Sequence, residues 1–518
     1  MRGVVRDSSN SGSNHKKHKR HKRASLFLVP FVLLVVTSPP AVSNIIPDMT
    51  RLILAALLMA GTALAQVTND PFPTPIPTTD GVIAVKFVEF ATIPDIAGRI
   101  PRMMTMVNEP ATRRFFVSEM TGPMFTVSYD GKTVTPYVDI NAPDWEVSVQ
   151  SGGSERGVQS FAFHPQFNQR GARGFGKFYT VTDTTVTNRP ADFKPGGGTH
   201  THDTVLLEWT AKSPAAATYD GGAPRELMRF EQPFSNHNGG HLTFNTLATA
   251  RDADFGLLYI GFADGGSGGD PLSLAQNLGS AFGKILRIDP LGTDSANGKY
   301  GIPASNPFAG DNDPNTLGEI FAYGLRNPQR IFWDPKNRNM FISDIGQNTI
   351  EKISLVTAGA NLGWNVWEGS FKFVSGRPGG VDMTSPRSDP KITYPIVEYA
   401  QLDPLLQNNS AAIGAFVYRE KAVPQLTNLL LFGDNPSGEI FYVNADNLPK
   451  GGQDPIRRIL LNDNGVSKTL LQIVKEKNTA QGRQQIATRV DLRFAEGPNG
   501  RIFLINKRDG TIRELVGR

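Results

Sequence analysis

The 518-residue chain contains no cysteine. Disulfide bonds, zinc ribbons, thiol nucleophiles and cysteine-ligated iron–sulfur clusters are therefore excluded. A chain of this kind has to be stabilised by a large hydrophobic core, and residues 66–518 are long enough to form one. Long amphipathic helical patterns are also scarce, whereas 52 glycines and 37 prolines are typical of an all-β protein with many turns.

The folded part of the chain has no excess of basic residues. The formal net charge of the whole chain is +5, but residues 1–65 alone contain nine Lys or Arg against two Asp or Glu. The rest therefore carries a net charge of about −2, which does not indicate nucleic-acid binding. A nucleotide-binding loop is missing as well, because residues 279–284 are one position short of a Walker motif and no Ser or Thr follows them.

The N-terminal region has the features of targeting segments. We interpret residues 1–48, which are basic and then apolar, as an extension ahead of the true start at Met49. A long leader or a membrane anchor around residues 26–43 is the alternative. Residues 49–65 have one basic residue, a short apolar core and an Ala-x-Ala end, which predicts a secretory signal peptide cleaved after Ala65. We therefore expect a periplasmic or secreted protein with no stable membrane span in its mature part.

One strand–turn–strand pattern recurs after a Pro/Thr-rich segment, residues 66–84, which we expect to be an extended linker. From residue 85 onward, an apolar strand repeatedly leads through Gly, Pro, Asn or Asp to a second strand rich in aromatic and β-branched residues. The pattern occurs at residues 114–127, 161–181, 242–264, 331–344, 429–443 and 492–506.

These six repeats predict an all-β fold, a six-bladed β-propeller of four-stranded antiparallel blades over residues 85–518. A pair of β-sandwiches or a large barrel is the alternative. Two longer inserts, residues 184–203 and 371–390, are expected to be loops on the faces of the propeller, where binding residues tend to lie.

His237 is the residue whose surroundings most favour catalysis. It is followed by two glycines, and the next strand and turn, residues 257–266, would place Asp264 at the end of that strand. A neutral imidazole held by a carboxylate is a general base near neutral pH. Most histidines in loops have no catalytic role, so this pattern alone leaves both interpretations open.

Several segments, taken in order, resemble one protein family. The matching segments are residues 153–157, 161–165, 237–240, 264–271, 275–290, 319–328, 344–348 and 361–369. They are similar to the soluble PQQ-dependent sugar dehydrogenases, the glucose/sorbosone dehydrogenase family of six-bladed propellers. The resemblance covers about residues 85–518 and is most specific in the middle third of the chain.

The resemblance implies an oxidoreductase that oxidises the C1 hydroxyl of an aldose or a related sugar to a lactone. Pyrroloquinoline quinone (PQQ) and Ca²⁺ would lie near the propeller axis, and an external electron acceptor would reoxidise the cofactor. In the family's chemistry, His237 corresponds to the general base and Asp264 to its carboxylate partner.

The resemblance also implies the residues that hold the cofactor and the metal. Arg326 and Asn327 match the segment that contacts PQQ, and a guanidinium suits a tricarboxylated quinone because it binds carboxylates bidentately. Arg156 and Arg489 are further candidates for cofactor binding. Gly346 and Gln347 match the positions whose backbone carbonyls bind Ca²⁺, a cation that prefers oxygen ligands. Gly346 and Gln347 are adjacent in the segment Ile-Gly-Gln-Asn, residues 345–348.

Four positions depart from the family's pattern. Arg156 stands where the glucose enzymes have a glutamine, and His241 where an arginine is common. Gln401 stands where many members have a histidine, and Pro436 about where the glucose enzymes have a cofactor-binding lysine. These departures argue against glucose itself as the substrate.

Two other functions are compatible with the same architecture. One is a propeller used only for binding, as in the eukaryotic hedgehog-interacting proteins. The other is a Ca²⁺-dependent six-bladed lactonase, which would need several carboxylates converging at the axis. The sequence does not assign such a set of carboxylates.

Overall fold

The computed structural model describes residues 66–376, 379–406 and 410–517. The predictions for residues 1–48 and 49–65 lie outside the described residues. Strands dominate the described part of the chain, which contains one α-helix, α1 (Leu470–Ala480). Four short 3-10 segments accompany it, Pro143–Trp145, Pro404–Leu406, Pro424–Leu426 and Pro498–Gly500. No helix in this part is long and apolar enough to cross a membrane.

Two strands, β1 (Val67–Thr68) and β2 (Ile83–Thr92), precede three complete blades. Each of these blades is a four-stranded antiparallel sheet whose strands follow one another in chain order. Blade 1 contains β3 (Met103–Glu109), β4 (Arg114–Glu119), β5 (Pro123–Ser128) and β6 (Val134–Asp139). Blade 2 contains β7 (Val158–Phe163), β8 (Lys177–Thr184), β9 (His202–Thr210) and β10 (Arg225–Gln232). Blade 3 contains β11 (His241–Phe244), β12 (Leu258–Phe262), β13 (Lys284–Ile288) and β14 (Ile320–Tyr323).

The fourth blade carries an insert before its outer strand. The blade contains β15 (Pro328–Trp333), β16 (Met340–Asp344), β17 (Ile350–Val356) and, after the insert, β21 (Val397–Ala400). The insert contains β18 (Trp367–Glu368), β19 (Phe371–Val374) and β20 (Gly380–Asp382), which form a separate small sheet with β1.

This small sheet corrects two sequence predictions. Residues 371–390 are not a simple loop, because two of its strands lie there. Residues 66–84 are not a free linker, since β1 pairs with β20 and the buried Ile76 donates its amide to the Asp403 carboxylate. The other insert is a loop as expected, because no strand lies between β8 and β9.

The last two blades are joined into one sheet by the N-terminal strand. Blade 5 contains β22 (Ala412–Tyr418), β23 (Leu429–Asp434), β24 (Ile440–Asn444) and β25 (Arg457–Asp463), with the short β26 (Val466–Lys468) paired to β25. Blade 6 contains β27 (Arg493–Glu496), β28 (Ile502–Ile505) and β29 (Thr511–Val516). Strand β2 supplies its fourth, outer strand by pairing antiparallel with β29, and it also pairs in parallel with β25. The two ends of the domain thereby close the ring of blades.

The architecture is the predicted all-β, six-bladed propeller, and each of the six sequence repeats lies in a different blade. The repeats were detectable because strands stacked between neighbouring blades are covered on both faces. Every residue of β12 is buried, so this strand reads as a nearly continuous apolar run. Packing of adjacent blades, not of one central core, supplies most of the buried apolar surface.

The first strands of the six blades form a ring around the propeller axis. Each of these inner strands contacts the next, from β3 through β7, β11, β15, β22 and β27 back to β3. We call the face where the inner strands begin the upper face and the face where they end the lower face. The loops that precede the inner strands, and those that follow the second strands, therefore meet at the upper face.

Candidate active site

A cavity of about 400 Å³ lies at the upper face, on the axis. Its lining comes from loops and inner-strand residues of all six blades. Residues that line it include Met104, Glu155, Gln159, His237, Arg326, Asn327, Gly346, Gln347, Gln401, Asn435, Pro436, Arg489, Asp491, Arg493 and Lys507. Most of these side chains are polar, so the cavity is suited to a polar or charged ligand.

The imidazole of His237 lines this cavity and is held by Asp264. The distance from His237 Nδ1 to Asp264 Oδ1 is 2.8 Å, and both side chains are buried. The backbone of His237 has φ of +54°, a conformation that a side-chain-bearing residue adopts at a cost. The Glu155 carboxylate stabilises it by accepting the His237 amide at 2.7 Å. The loop is therefore fixed from two sides, which aims the ring into the cavity.

The hydrogen bonds of His237 define which ring nitrogen is basic. Arg326 Nη2 lies 2.8 Å from His237 Nε2, and a guanidinium can only donate. Nε2 therefore carries the lone pair, and Nδ1 carries the proton that Asp264 accepts. This tautomer presents a base at Nε2 to the cavity, as general-base catalysis requires.

Asp264 is held in its ionised form by the donors around it. Its second oxygen, Oδ2, accepts the indole N–H of Trp364 at 2.8 Å, and Oδ1 also accepts the Gly266 amide at 3.0 Å. Burial alone would raise the pKa of Asp264, but its interaction with His237 and the charge of Arg326 bring the pKa below its ordinary value. The carboxylate is thus available to stabilise a protonated imidazole.

The segment that carries Arg326 and Asn327 is anchored from below by Asp344, at the end of β16. Asp344 Oδ1 accepts the Arg326 amide at 3.1 Å and the Asn327 amide at 2.7 Å. The Lys352 ammonium lies 3.2 Å from the other carboxylate oxygen. The Arg326 side chain is fixed in turn by Gln347, whose Oε1 accepts its Nε at 3.1 Å. Asp344 therefore positions the residues that face His237.

Blade 6 contributes three cationic side chains to the cavity, those of Arg489, Arg493 and Lys507. Arg489 is paired with Asp491, with 2.7 Å between Nε and Oδ1. Burial lowers the pKa of Arg493 to about 10. Burial and the like charge of Arg493 together lower the pKa of Lys507 to about 7. Positive charges at this end of the cavity thus lack full compensation, which is the condition for binding an anion.

The loop predicted to bind Ca²⁺ lies beside the His237 end of the cavity. Glu368 Oε1 accepts the backbone amides of residues 347–350, at distances between 2.7 and 3.3 Å. Among the described residues, no donor reaches the carbonyl oxygens of Gly346 or Gln347. The loop therefore has its N–H groups occupied, while the carbonyls of Gly346 and Gln347 remain free.

The structure brings together all but one of the predicted site residues. His237, Arg326, Asn327, Arg489, Gly346 and Gln347 line the cavity, and Asp264 lies directly behind His237. Arg156 does not line it; its Nε donates to the Gly152 carbonyl at 3.0 Å. The neighbouring Glu155 faces the cavity instead.

Four residues depart from the family's pattern. Two of them are uncharged residues in the cavity lining, and two lie elsewhere. Gln401 and Pro436 line the cavity and bring no charge to it. His241 is buried on β11, where its Nδ1 accepts the Ile331 amide at 3.0 Å. Lys507, which was not singled out from the sequence, brings a cationic side chain to the same lining.

Several residues in or next to the cavity were not identified as site residues from the sequence. Asp344 and Trp364 lie inside recognised segments, and an Asp at a strand end or an indole near a glycine gives a weak signal. Lys507 and Asp491 lie in the last blade, where the family resemblance is weakest. Their distance along the chain from His237 concealed that they share its cavity.

Fold and site define the chain as a six-bladed β-propeller with a histidine–carboxylate pair at the axis. The chain belongs to the glucose/sorbosone dehydrogenase family, whose sequence pattern matches residues 99–514. This match confirms the resemblance seen in the sequence.

Two curated relatives and one solved structure illustrate what the chain is similar to. It is 30% identical to the HIPL1 protein of Arabidopsis thaliana over 365 residues, covering 64% of this chain and 50% of that protein. It is 32% identical to the mouse Hedgehog-interacting protein over 227 residues, 43% of this chain and 29% of that protein. The chain thus spans half or less of the length of these curated relatives.

The structural likeness concerns the fold. The PQQ-bound aldose sugar dehydrogenase of Streptomyces coelicolor superposes with a TM-score of 0.51 at 17% identity, covering 84% of this chain and 98% of that one. At this level of identity, the likeness supports the propeller fold and does not assign the residues of the site.

Proposed function

We propose that the chain is an exported quinoprotein that oxidises the C1 hydroxyl of an aldose or a related sugar to a lactone. PQQ and Ca²⁺ would be its cofactors, and an external acceptor would remove the electrons. The observation that carries this proposal is the His237–Asp264 pair, whose basic Nε2 opens into an axial cavity lined by cationic side chains.

The donor set of the cavity fits PQQ, which carries three carboxylates. Arg326 borders one end of the cavity, and Arg489, Arg493 and Lys507 border another. The buried Nε of Arg493 has no hydrogen-bond partner among the described residues, and such an orphaned donor favours an acceptor on a ligand. The guanidinium groups match carboxylates in geometry as well as charge.

The loop at Gly346 and Gln347 fits a hard cation. Glu368 occupies the amides of the loop, so the oxygen atoms that remain are carbonyls, the ligands that Ca²⁺ accepts. Arg326 and Gln347 are hydrogen-bonded to each other, which supports a cofactor and a metal bound side by side.

Each residue of the site has a chemical role in this proposal. His237 Nε2 would accept the proton of the sugar's C1 hydroxyl, once that hydroxyl replaces Arg326 as its partner. Asp264 would hold the ring in the required tautomer and stabilise the imidazolium that forms. Arg326, released from His237, would remain close enough to stabilise negative charge nearby. PQQ, when bound, would accept the hydride from C1.

The proposal is tested by dye reduction with the purified protein, PQQ and Ca²⁺ across a panel of aldoses. We expect sugar-dependent reduction only when both cofactors are added. Calorimetry with PQQ should give saturable binding that requires Ca²⁺. Absence of both binding and turnover would overturn the dehydrogenase and favour the second candidate function, a propeller used for binding, which the similarity to the Hedgehog-interacting protein supports.

The lactonase alternative is not favoured. The residues described in the structure contain no group of three or more His, Cys, Asp or Glu side chains arranged to hold a metal ion. The convergent carboxylates that this alternative needs are thus not found in that part of the chain.

Lys507 should make PQQ binding depend on pH. Its pKa of about 7 means that the side chain is charged below this pH and loses its proton above it. A bound anion favours the charged form, so affinity should be highest near pH 6. It should then fall, by up to about tenfold per pH unit, as the pH rises through 7. Calorimetric titration between pH 6 and 8.5 measures this dependence.

Two lysine variants test whether this pH dependence comes from Lys507. Lys507→Met should bind PQQ about 10- to 100-fold more weakly at pH 6, with a flatter pH profile. Lys468→Met is the control, because Lys468 pairs with Asp463 and Glu476 away from the cavity. An unchanged pH profile in Lys507→Met would contradict the assignment.

A further inference from the structure

A second cavity, of about 650 Å³, lies at the lower face of the propeller. It is lined where the inner strands of blades 1, 2, 3, 4 and 6 end, so it lies at the opposite end of the axis from the site of His237. None of the proposed catalytic, cofactor-binding or metal-binding residues lines it. The proposed function therefore leaves this cavity without a role.

The deep part of the lower cavity contains a buried guanidinium without a counter-ion. Arg330, on β15, is 4% exposed. Its Nη2 donates to the Met104 carbonyl at 2.8 Å and its Nη1 to the Gln329 carbonyl at 2.6 Å. No carboxylate oxygen in the described part of the chain lies within 4.0 Å of it, whereas three of the six other buried arginines there are ion-paired, Arg229 with Asp203, Arg458 with Glu439 and Arg513 with Asp509.

An uncompensated buried charge is costly, and an arginine cannot avoid the cost by losing its proton under ordinary conditions. Burial and the like charge of Arg493 lower the pKa of Arg330 well below its usual range, which expresses how unfavourable the isolated cation is. An anion in the cavity would offset this cost. Two neutral carbonyls satisfy some of the N–H groups but leave the net charge in place.

The walls of the lower cavity are aromatic. Phe163, Phe244, Phe332, Trp333 and Phe494 all line it. Rings of this kind bind flat apolar groups by stacked or edge-to-face contact. An inorganic anion would use none of this surface, so the lining fits an anion that carries an apolar body.

A third group, Glu496, limits the charge of the ligand. Its side chain lines the same cavity, no cation of the described residues lies within 4.0 Å of it, and burial raises its pKa to about 7. In its ionised form it would repel a second negative charge on a ligand. The arrangement therefore favours a single anionic group placed deep, with a neutral body towards the opening.

We propose that the lower cavity is a binding site for a small aromatic monocarboxylate, with the carboxylate paired to Arg330 and the ring packed against the aromatic wall. The site is separate from the upper cavity and does not depend on the sugar oxidation proposed above.

Calorimetry with the purified full-length protein and 3-phenylpropanoate tests this site. We expect saturable binding that is about 10- to 100-fold weaker for the neutral isostere 3-phenylpropan-1-ol, because the alcohol leaves the Arg330 charge uncompensated. Acetate should also bind far more weakly, since it lacks the ring. Equal affinity for acid and alcohol, or for phenylpropanoate and acetate, would overturn the proposal.

Three variants test whether phenylpropanoate binds in the lower cavity. Arg330→Met should weaken phenylpropanoate binding about as much as the change to the alcohol does. Should this variant not fold, Thr243→Trp fills the cavity from a half-buried position on β11 and should abolish binding with Arg330 intact. His237→Ala is the control for the upper cavity and should bind the probe normally. Loss of binding in His237→Ala, or normal binding in the folded lower-cavity variants, would refute the site.

Discussion

Replacement of His237 by alanine is expected to lower kcat for sugar oxidation by about 10²- to 10⁴-fold, the usual contribution of a positioned general base. Nε2 of this imidazole is the basic atom that opens into the axial cavity, and its orientation is set by Asp264 and Arg326. Without the ring, the hydroxyl proton would have to leave to water. PQQ binding should change only slightly, because the cationic groups that would hold the cofactor remain.

Two measurements together check this result. Dye reduction gives kcat at saturating sugar, and calorimetry gives the PQQ affinity of the same variant. His200→Ala is a matched control, because His200 pairs with Asp203 and does not line the cavity. A His237→Ala protein that binds PQQ and still turns over at the wild-type rate would remove the histidine from the mechanism.

The fold was predictable because its local pattern repeats. A strand covered by blades on both sides is mostly apolar, and the turn after it is rich in Gly, Pro, Asn or Asp. That is what residues 258–264 and 341–346 display. The pairing of β1 with β20 was not predictable in the same way. Two residues contribute to it, which is too short a segment to have a periodicity.

The His237–Asp264 pair was predictable for a geometric reason. One residue precedes an inner strand and the other follows the next strand, and antiparallel neighbours bring these two loops to the same end of a blade. Arg493 and Lys507 could not be connected to them in this way. They share the cavity through ring closure by β2 and β29, a contact between the ends of the domain that no local pattern encodes.

Position within a loop is the hardest detail to infer. Glu155 and Arg156 are adjacent, both are charged, and both lie in a segment that matches the family. The structure turns the glutamate towards His237 and the arginine back onto its own loop. Which of two neighbouring side chains faces a cavity depends on backbone angles, and those are not visible in residue types.

Asp264→Asn is expected to lower kcat by about 10²- to 10⁴-fold while the protein stays folded, an effect comparable to loss of the base. Both carboxylate oxygens accept hydrogen bonds, Oδ1 from His237 and Gly266 and Oδ2 from Trp364. An asparagine has to turn its NH₂ group towards one of these donors. Facing His237, it would force the proton onto Nε2 and remove the base; facing Trp364, it would leave the indole N–H unpaired and destabilise the loop. In either orientation the negative charge that stabilises the imidazolium is lost.

The control for Asp264→Asn is Trp364→Phe, which removes one donor to the carboxylate but keeps its charge and the tautomer of His237. We expect about a tenfold loss or less in kcat for this variant, since the Nδ1–carboxylate bond stays intact. The size of the loss in kcat distinguishes the two, because only Asp264→Asn removes the counter-charge of the imidazolium. Equal effects of the two substitutions would mean that Asp264 acts only by holding the loop in place, and that the basicity of His237 has another origin.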